Sequence, residues 1–269
     1  MKLKKIIIYI LLILLVPGCN NEEFFEEERP AQAPWQTVDE FEFAVSGAYG
    51  LAVNAGWSSF VISDIVAEFI QSDLMYFSQN QEAWPVNDFI NRQTGERSLP
   101  MEEAFVNCYK VIGACNAGLD FYYENDRDPF PTVTSAVKEH NVDRIAGELH
   151  FLRAFANFSN VKRHCPQYDP EQPNDDRLLP LRMSFPTGLD NVTNPYFATT
   201  REMYDTIIYD LQTAKDYLPE NFNSTHHPSY QYHSRATRWA AAFLLGEVYF
   251  QMRNRDAALT EFNYVIEES

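Results

Sequence analysis

Cys19 is the first residue whose surroundings imply chemistry. It follows Leu15-Val16-Pro17-Gly18, and ahead of these an apolar run from Ile6 to Val16 is preceded by Lys2, Lys4 and Lys5. A basic end, an apolar stretch and a small-residue cleavage site make a signal peptide. The run, about 11 residues long, falls short of the roughly 20 that a membrane-crossing helix needs. A Cys directly behind the cleavage point offers its thiol to a diacylglycerol, so the mature chain is expected to begin at a lipid-bearing Cys19. Two acyl chains on one residue make a stable anchor.

A second group lies between residues 54 and 93, where Asn54, Trp57, Asp73, Tyr76, Phe77, Gln81, Trp84 and Asn87 mix flat rings with amides and carboxylates. Rings stack on sugar C–H faces while amides and acids bind hydroxyls, so this set suits a carbohydrate. Trp57, Asp73, Tyr76, Trp84 and Asn87 are the sharpest candidates. The competing reading has Trp57 and Trp84 plugging the loop onto the core, and it is favoured for either tryptophan taken alone. Trp35 and Trp239 are expected in the core.

Other constellations are weaker. His226, His227 and His233 sit in one segment with Tyr230 and Tyr232, but no carboxylate or Cys is spaced to complete a zinc site, and a solvated loop is expected. Asp169, Glu171, Asp175 and Asp176 lack the order and central Gly of a calcium loop. Paired carboxylates could hydrolyse glycosides, yet with 38 acids a pair is always found, so the count decides nothing. No nucleophile elbow, HExxH or phosphate loop is present. Neither a cofactor nor catalysis is expected.

Formal charge is −17, and removing the three leader lysines leaves about −20. Nucleic acid is not expected as a partner. Anionic headgroups are repelled too, so membrane attachment must come from the lipid. Behind the anchor, residues 20 to 30 form an acidic tether too polar to pack alone. With Cys19 lipidated, Cys108, Cys115 and Cys165 remain, an odd number that makes no disulfide framework. Cys108 and Cys115 stand about 10.5 Å apart along one expected helix, too far for a bridge, and are read as small buried groups.

The elements that must position these groups are helical. Apolar spacing of three and four marks helices at about 38–53, 59–70, 101–123, 135–162 and 200–218, with helix returning from Ser234 to the end. Thr37 is a plausible cap for the first of these. Residues 71–100 and the proline-rich stretch 165–199 read as long loops. In the last segment Leu245, Gly246 and Tyr249, then Ala258 and Phe262, fall where a tetratricopeptide pair places its small and aromatic residues. Gly246 and Ala258 would let two helices close up while Phe262 fills the groove. Thr200 to Pro219 reads as another second helix, whose first helix would be the Leu152–Lys162 region. A helix pair cannot bury both faces alone, so the stop at Ser269 reads as a chain missing a C-terminal part.

The order of these pieces resembles the SusD/RagB family of outer-membrane nutrient-binding lipoproteins. The resemblance rests on the lipid-type signal, Tyr109 to Asn116, Gly147-Glu148-Leu149-His150-Phe151-Leu152-Arg153-Ala154-Phe155, and Tyr209-Asp210-Leu211-Gln212-Thr213-Ala214 before Leu218-Pro219. It is completed by Ala236-Thr237-Arg238-Trp239-Ala240-Ala241 running into the repeat. His150 stands where that family usually has Ala or Arg, a departure expected to matter little. The expanded Cys165 to Leu181 stretch is a second departure, and it leaves loop-level inference open.

The resemblance implies an all-α fold of tetratricopeptide-like helix pairs with long irregular loops. It also implies a glycan or oligosaccharide ligand, delivered to a TonB-dependent, SusC-like transporter at the outer face of the outer membrane. The chain then divides into a signal peptide at 1–18, a lipidated tether at 19–34 and a SusD-like helical domain at 35–269. A tetratricopeptide scaffold that docks protein without its own sugar site is the alternative, and a glycan-degrading lipoprotein enzyme a more distant one.

Overall fold

The computed structural model describes residues 35–66, 99–186 and 195–268. Among these residues seven α-helices and two short strands follow in order: α1 Val38–Val66, α2 Leu99–Glu124, α3 Ser135–Val137, α4 Arg144–His164, β1 Arg177–Pro180, β2 Phe197–Thr199, α5 Thr200–Tyr217, α6 Arg238–Gln251 and α7 Arg255–Glu268. The expected all-α, helix-pair architecture is what forms.

Helix α1 starts where Thr37 was expected to cap it, with the Glu40 amide donating to Thr37 Oγ1 at 3.2 Å. Phe41, Val45, Ala48 and Ala52 line its buried face. The two helices expected at 38–53 and 59–70 are one continuous helix to Val66, because Asn54 and Gly56 do not interrupt it. Helix α2 buries a stripe of Ala104, Cys108, Val111, Ile112, Cys115, Leu119 and Tyr122, with Phe105 only partly buried. Cys108 and Cys115 are buried free thiols, and burial pushes Cys115 up to about 12.

The helix expected at 135–162 is divided. After the single α-turn of α3 the backbone widens into a π segment, Lys138–Asp143, before α4 begins. Such π turns recur at functional sites. Helix α4 is the axis of the fold, packing on α1, α2 and α5 and touching α6. It is buried nearly all round from Arg144 to Val161, polar residues included. Gly147 is required where α4 passes the end of α5, since a Cβ there would meet Tyr217 Cβ at 2.8 Å and the Leu218 backbone nitrogen at 3.3 Å.

The proline-rich excursion holds one piece of order. β1 and β2 pair antiparallel, Leu179 opposite Ala198, with a bulge between Arg177 and Leu179. Thr199 then caps α5 in a full capping box with Glu202. Helix α5 packs on α4, as the repeat reading required, and α6 packs on α7. Between α6 and α7, Arg253 takes a left-handed φ of 61° and the Asn254 amide donates back to the Tyr249 carbonyl, a Schellman-type stop. Trp35 is half-buried against Phe41 and Phe121, and Trp239 against Tyr264 at 5.1 Å between ring centroids. Among the described residues no helix is long and apolar enough to cross a membrane.

Candidate functional site

The sugar candidates of the 54–93 stretch fall largely outside this description. Cys19, Asp73, Tyr76, Trp84 and Asn87 lie outside the described residues, and Trp57 stands on α1 with its side chain outside them. The polar groups the structure does bring together lie around α4.

The first set is built on Arg153. Its Nε and Nη2 grip Asp210 on α5 at 2.9 and 2.7 Å, while Nη1 donates to Asn116 Oδ1 on α2 at 2.9 Å. Asn116 in turn donates to the Arg182 and Ser184 carbonyls, fastening the segment after β1 onto α2. His150 completes the set, with Nδ1 at 2.7 Å from Asp210 and Nε2 at 2.8 Å from the Tyr123 hydroxyl. An ionised Asp210 can only accept, so the His150 proton sits on Nδ1 and Tyr123 donates to Nε2.

Burial pulls Asp210 upward, but Arg153 and His150 outweigh it and hold the carboxyl below its ordinary value. Burial likewise lowers His150, more than Asp210 raises it. The Tyr123–His150–Asp210 chain has the outline of a proton relay. Burial pushes the Tyr123 hydroxyl up to about 12, so it stays protonated and remains the donor of its bond to His150. The arrangement is a clamp. His150, expected to matter little, is buried at its centre.

A second buried set joins α1, α4 and the segment before α6. Arg144 pairs with Glu148 and Glu42, and Arg235 reaches Glu42 at 2.7 Å, Ser46 at 2.7 Å and Glu148 at 3.3 Å. Two arginines meet two glutamates, and burial pushes the Glu148 carboxyl up against the opposing pull of Arg144 and Arg235. Burial pulls Arg144 down, and Glu148 and Glu42 more than offset it, keeping the guanidinium charged.

Beside this set opens a cleft of about 550 Å³ between the π segment, the end of α5 and the 221–227 loop. His227 forms one wall. Its Nδ1 accepts from the Asn223 amide at 3.2 Å and its Nε2 donates to the His140 carbonyl at 3.0 Å. Both nitrogens are thus spent in the neutral form, and burial lowers its basicity. The expectation of a solvated histidine loop is corrected at His227, which is buried against Phe222. His226 stacks on His140 with ring centroids 3.8 Å apart. The acidic stretch at 169–176 bonds to itself, Asn174 holding Asp169 through amide and carbonyl. Among the described residues no three His, Cys, Asp or Glu side chains are placed to hold a metal.

The helix pair α6–α7 carries a different surface. Phe262 covers Gly246 as the repeat reading required, and Ala258 is buried. On the outer side Phe243 and Phe250 are 51% and 66% exposed and flank an apolar groove with Phe158 and Lys162.

Gly147 to Phe155 and Tyr209 to Ala214 carry the family resemblance, but nothing in their spacing pairs Arg153 with Asp210. The signal for that pairing is the charge of Arg153 set between Phe151-Leu152 and Ala154-Phe155, since a buried charge demands a partner.

The family described as starch-binding and associating with the outer membrane, a SusD-like family, matches residues 23–250. SusD-like protein P2 of Formosa agariphila is 24% identical over 97% of this chain and 45% of its own length. SusD-like protein P25 of the same organism is 24% identical over 100% and 47%. The chain therefore spans about half the length of the curated relatives it matches. A solved SusD superfamily protein from Bacteroides thetaiotaomicron superposes with a TM-score of 0.65 at 18% identity, over 86% of this chain and 46% of that one. A SusD-like carbohydrate binding protein from Bacteroides vulgatus gives 0.61 at 15%, over 87% and 45%. At these identities the superpositions speak to fold, and the fold is shared. With the family's pattern running through both halves of the α4–α5 clamp and into α6, the chain belongs to the SusD-like (SusD/RagB) family.

Proposed function

We propose that this chain acts in a cell-surface lipoprotein that captures glycans and hands them to a TonB-dependent, SusC-like transporter in the outer membrane. The observation that carries the reading is the family match across residues 23–250 on a scaffold of packed helix pairs. The lipid on Cys19 holds the protein at the membrane, the acidic tether spaces it from the surface, and the Trp57, Asp73, Tyr76, Trp84 and Asn87 set supplies a sugar platform. Binding without turnover fits the buried clamp, whose ionisable groups are tied to one another rather than turned toward a ligand.

Cells displaying the chain test the reading as a whole. Incubated with fluorescent polysaccharides, they are expected to retain at least one, and a Cys19→Ser chain is expected to lose that surface labelling. Cells that retain none would leave the second reading, a protein-docking scaffold. The exposed Phe243 and Phe250 beside their groove favour that reading, and it is compatible with docking on the transporter.

A further inference from the structure

One face of α4 is polar where a helix inside a core is ordinarily apolar. His150, Arg153, Asn157, Asn160 and His164 recur at spacings of three and four, so they stand in one line along the helix. The first two are matched by Asp210, Asn116 and Tyr123. The next two are not. Asn157 and Asn160 are 1% and 0% exposed, and neither the oxygen nor the nitrogen of either side-chain amide meets a hydrogen-bond partner among the described residues. Arg163 Nη2 and His164 Nε2, where the line reaches half-buried ground at the end of α4, are buried atoms without a partner too.

The facing helix cannot supply what these amides need. Helix α2 runs antiparallel along the line, with Cys115 within reach of the Arg153 charge and Cys108 Sγ 3.7 Å from Arg163 Nη1. Between those thiols α2 buries Val111 and Ile112, which carry no polar side-chain atom, and its backbone groups there are spent within the helix. Side chains three residues apart on a helix are neighbours, so one small molecule can touch both amides. Two neutral amides offer donors and acceptors together and no charge. The fitting occupant is therefore small, neutral and able both to donate and to accept. Water is that molecule, and a buried water makes about three bonds to groups otherwise unmatched. We infer that α4 holds ordered internal water against α2, bridging Asn157 and Asn160 and continuing the Arg153 clamp toward His164. At this end the two helices are joined through solvent, where the clamp joins them directly.

A crystal structure of the mature chain, at a resolution that shows ordered solvent, reads the site directly. One or more waters within hydrogen-bond distance of both side chains are expected. Amides turned onto protein groups, or a seam with no density between them, would overturn the inference. Urea unfolding gives a second reading that needs no crystal. Leucine matches the asparagine side chain in shape and lacks its polar atoms, so a dry, unmatched amide would gain from the exchange. A water bridge reverses that sign. Asn157→Leu strands the water and Asn160, and its urea midpoint is expected to fall below that of wild type. Asn157→Leu with Asn160→Leu removes both polar partners and is expected to recover part of the fall, since the two sites are coupled. A single variant whose midpoint equals or exceeds that of wild type would overturn the bridge.

Discussion

The ring of Phe262 lies so close over Gly246 that a Cβ added there would meet its Cε1 at 2.6 Å. That contact is the seam of the α6–α7 pair, and it makes the repeat reading of this segment a statement about packing. Gly246→Ala is expected to cost about 1–3 kcal/mol by overpacking. Gly113→Ala, on α2 with nothing within 4 Å of the added atom, is expected to stabilise by about 0.5–1 kcal/mol through helix propensity. Urea unfolding of the two variants against wild type reads the opposite signs.

The Arg153–Asp210 clamp predicts a larger loss. Asp210→Ala leaves a buried guanidinium without its carboxylate, an effect of about 3–5 kcal/mol. Arg153→Met combined with Asp210→Leu removes both charges and is expected to cost less than the single change. A double variant no more stable than Asp210→Ala would show that the clamp's geometry, rather than charge burial, sets the loss.

Acid should weaken the fold through histidines. His150, His164 and His227 are all lowered from 6.5, with burial the first cause in each. A histidine kept neutral by folding contributes stability that is full above the unfolded value, and that stability is lost as pH falls from about 6.5 down through the folded value. Unfolding midpoints at pH 7.5, 6.5 and 5.5 should therefore decline in that order. His227→Gln should flatten the decline by removing one of the three contributions. An unchanged slope in that variant would mean the His227 bonds to Asn223 and His140 do not depend on its neutral form.

Which parts were legible follows from how far apart in the chain their causes lie. The stripes of α1 and α2 and the Gly246–Ala258–Phe262 register are local periodicities, and they were read correctly. The break expected near residues 54–58 is absent, because a polar Asn54 and a Gly56 weaken a helix without ending it. The β1–β2 pair was hidden by the prolines around it, although Pro180 at a strand end leaves the short ladder intact. His227 was misread because its burial comes from Phe222 packing and from the His140 carbonyl, 87 residues away. The clamp joins residues 57 apart, and nothing in a one-dimensional pattern says which buried arginine meets which aspartate.

The anchor makes its own prediction. Replacing Cys19 by Ser is expected to move the protein from the membrane pellet to the soluble fraction while circular dichroism stays unchanged. A variant that remains with the membranes would contradict attachment through that lipid.

Glycan capture itself is tested most directly by affinity electrophoresis of the purified mature chain through gels containing plant and host polysaccharides, with Trp57→Ala and Trp84→Ala run alongside. Retardation by at least one polysaccharide, reduced in either variant, is the predicted result. Free migration through every gel by a chain shown to be folded would contradict it.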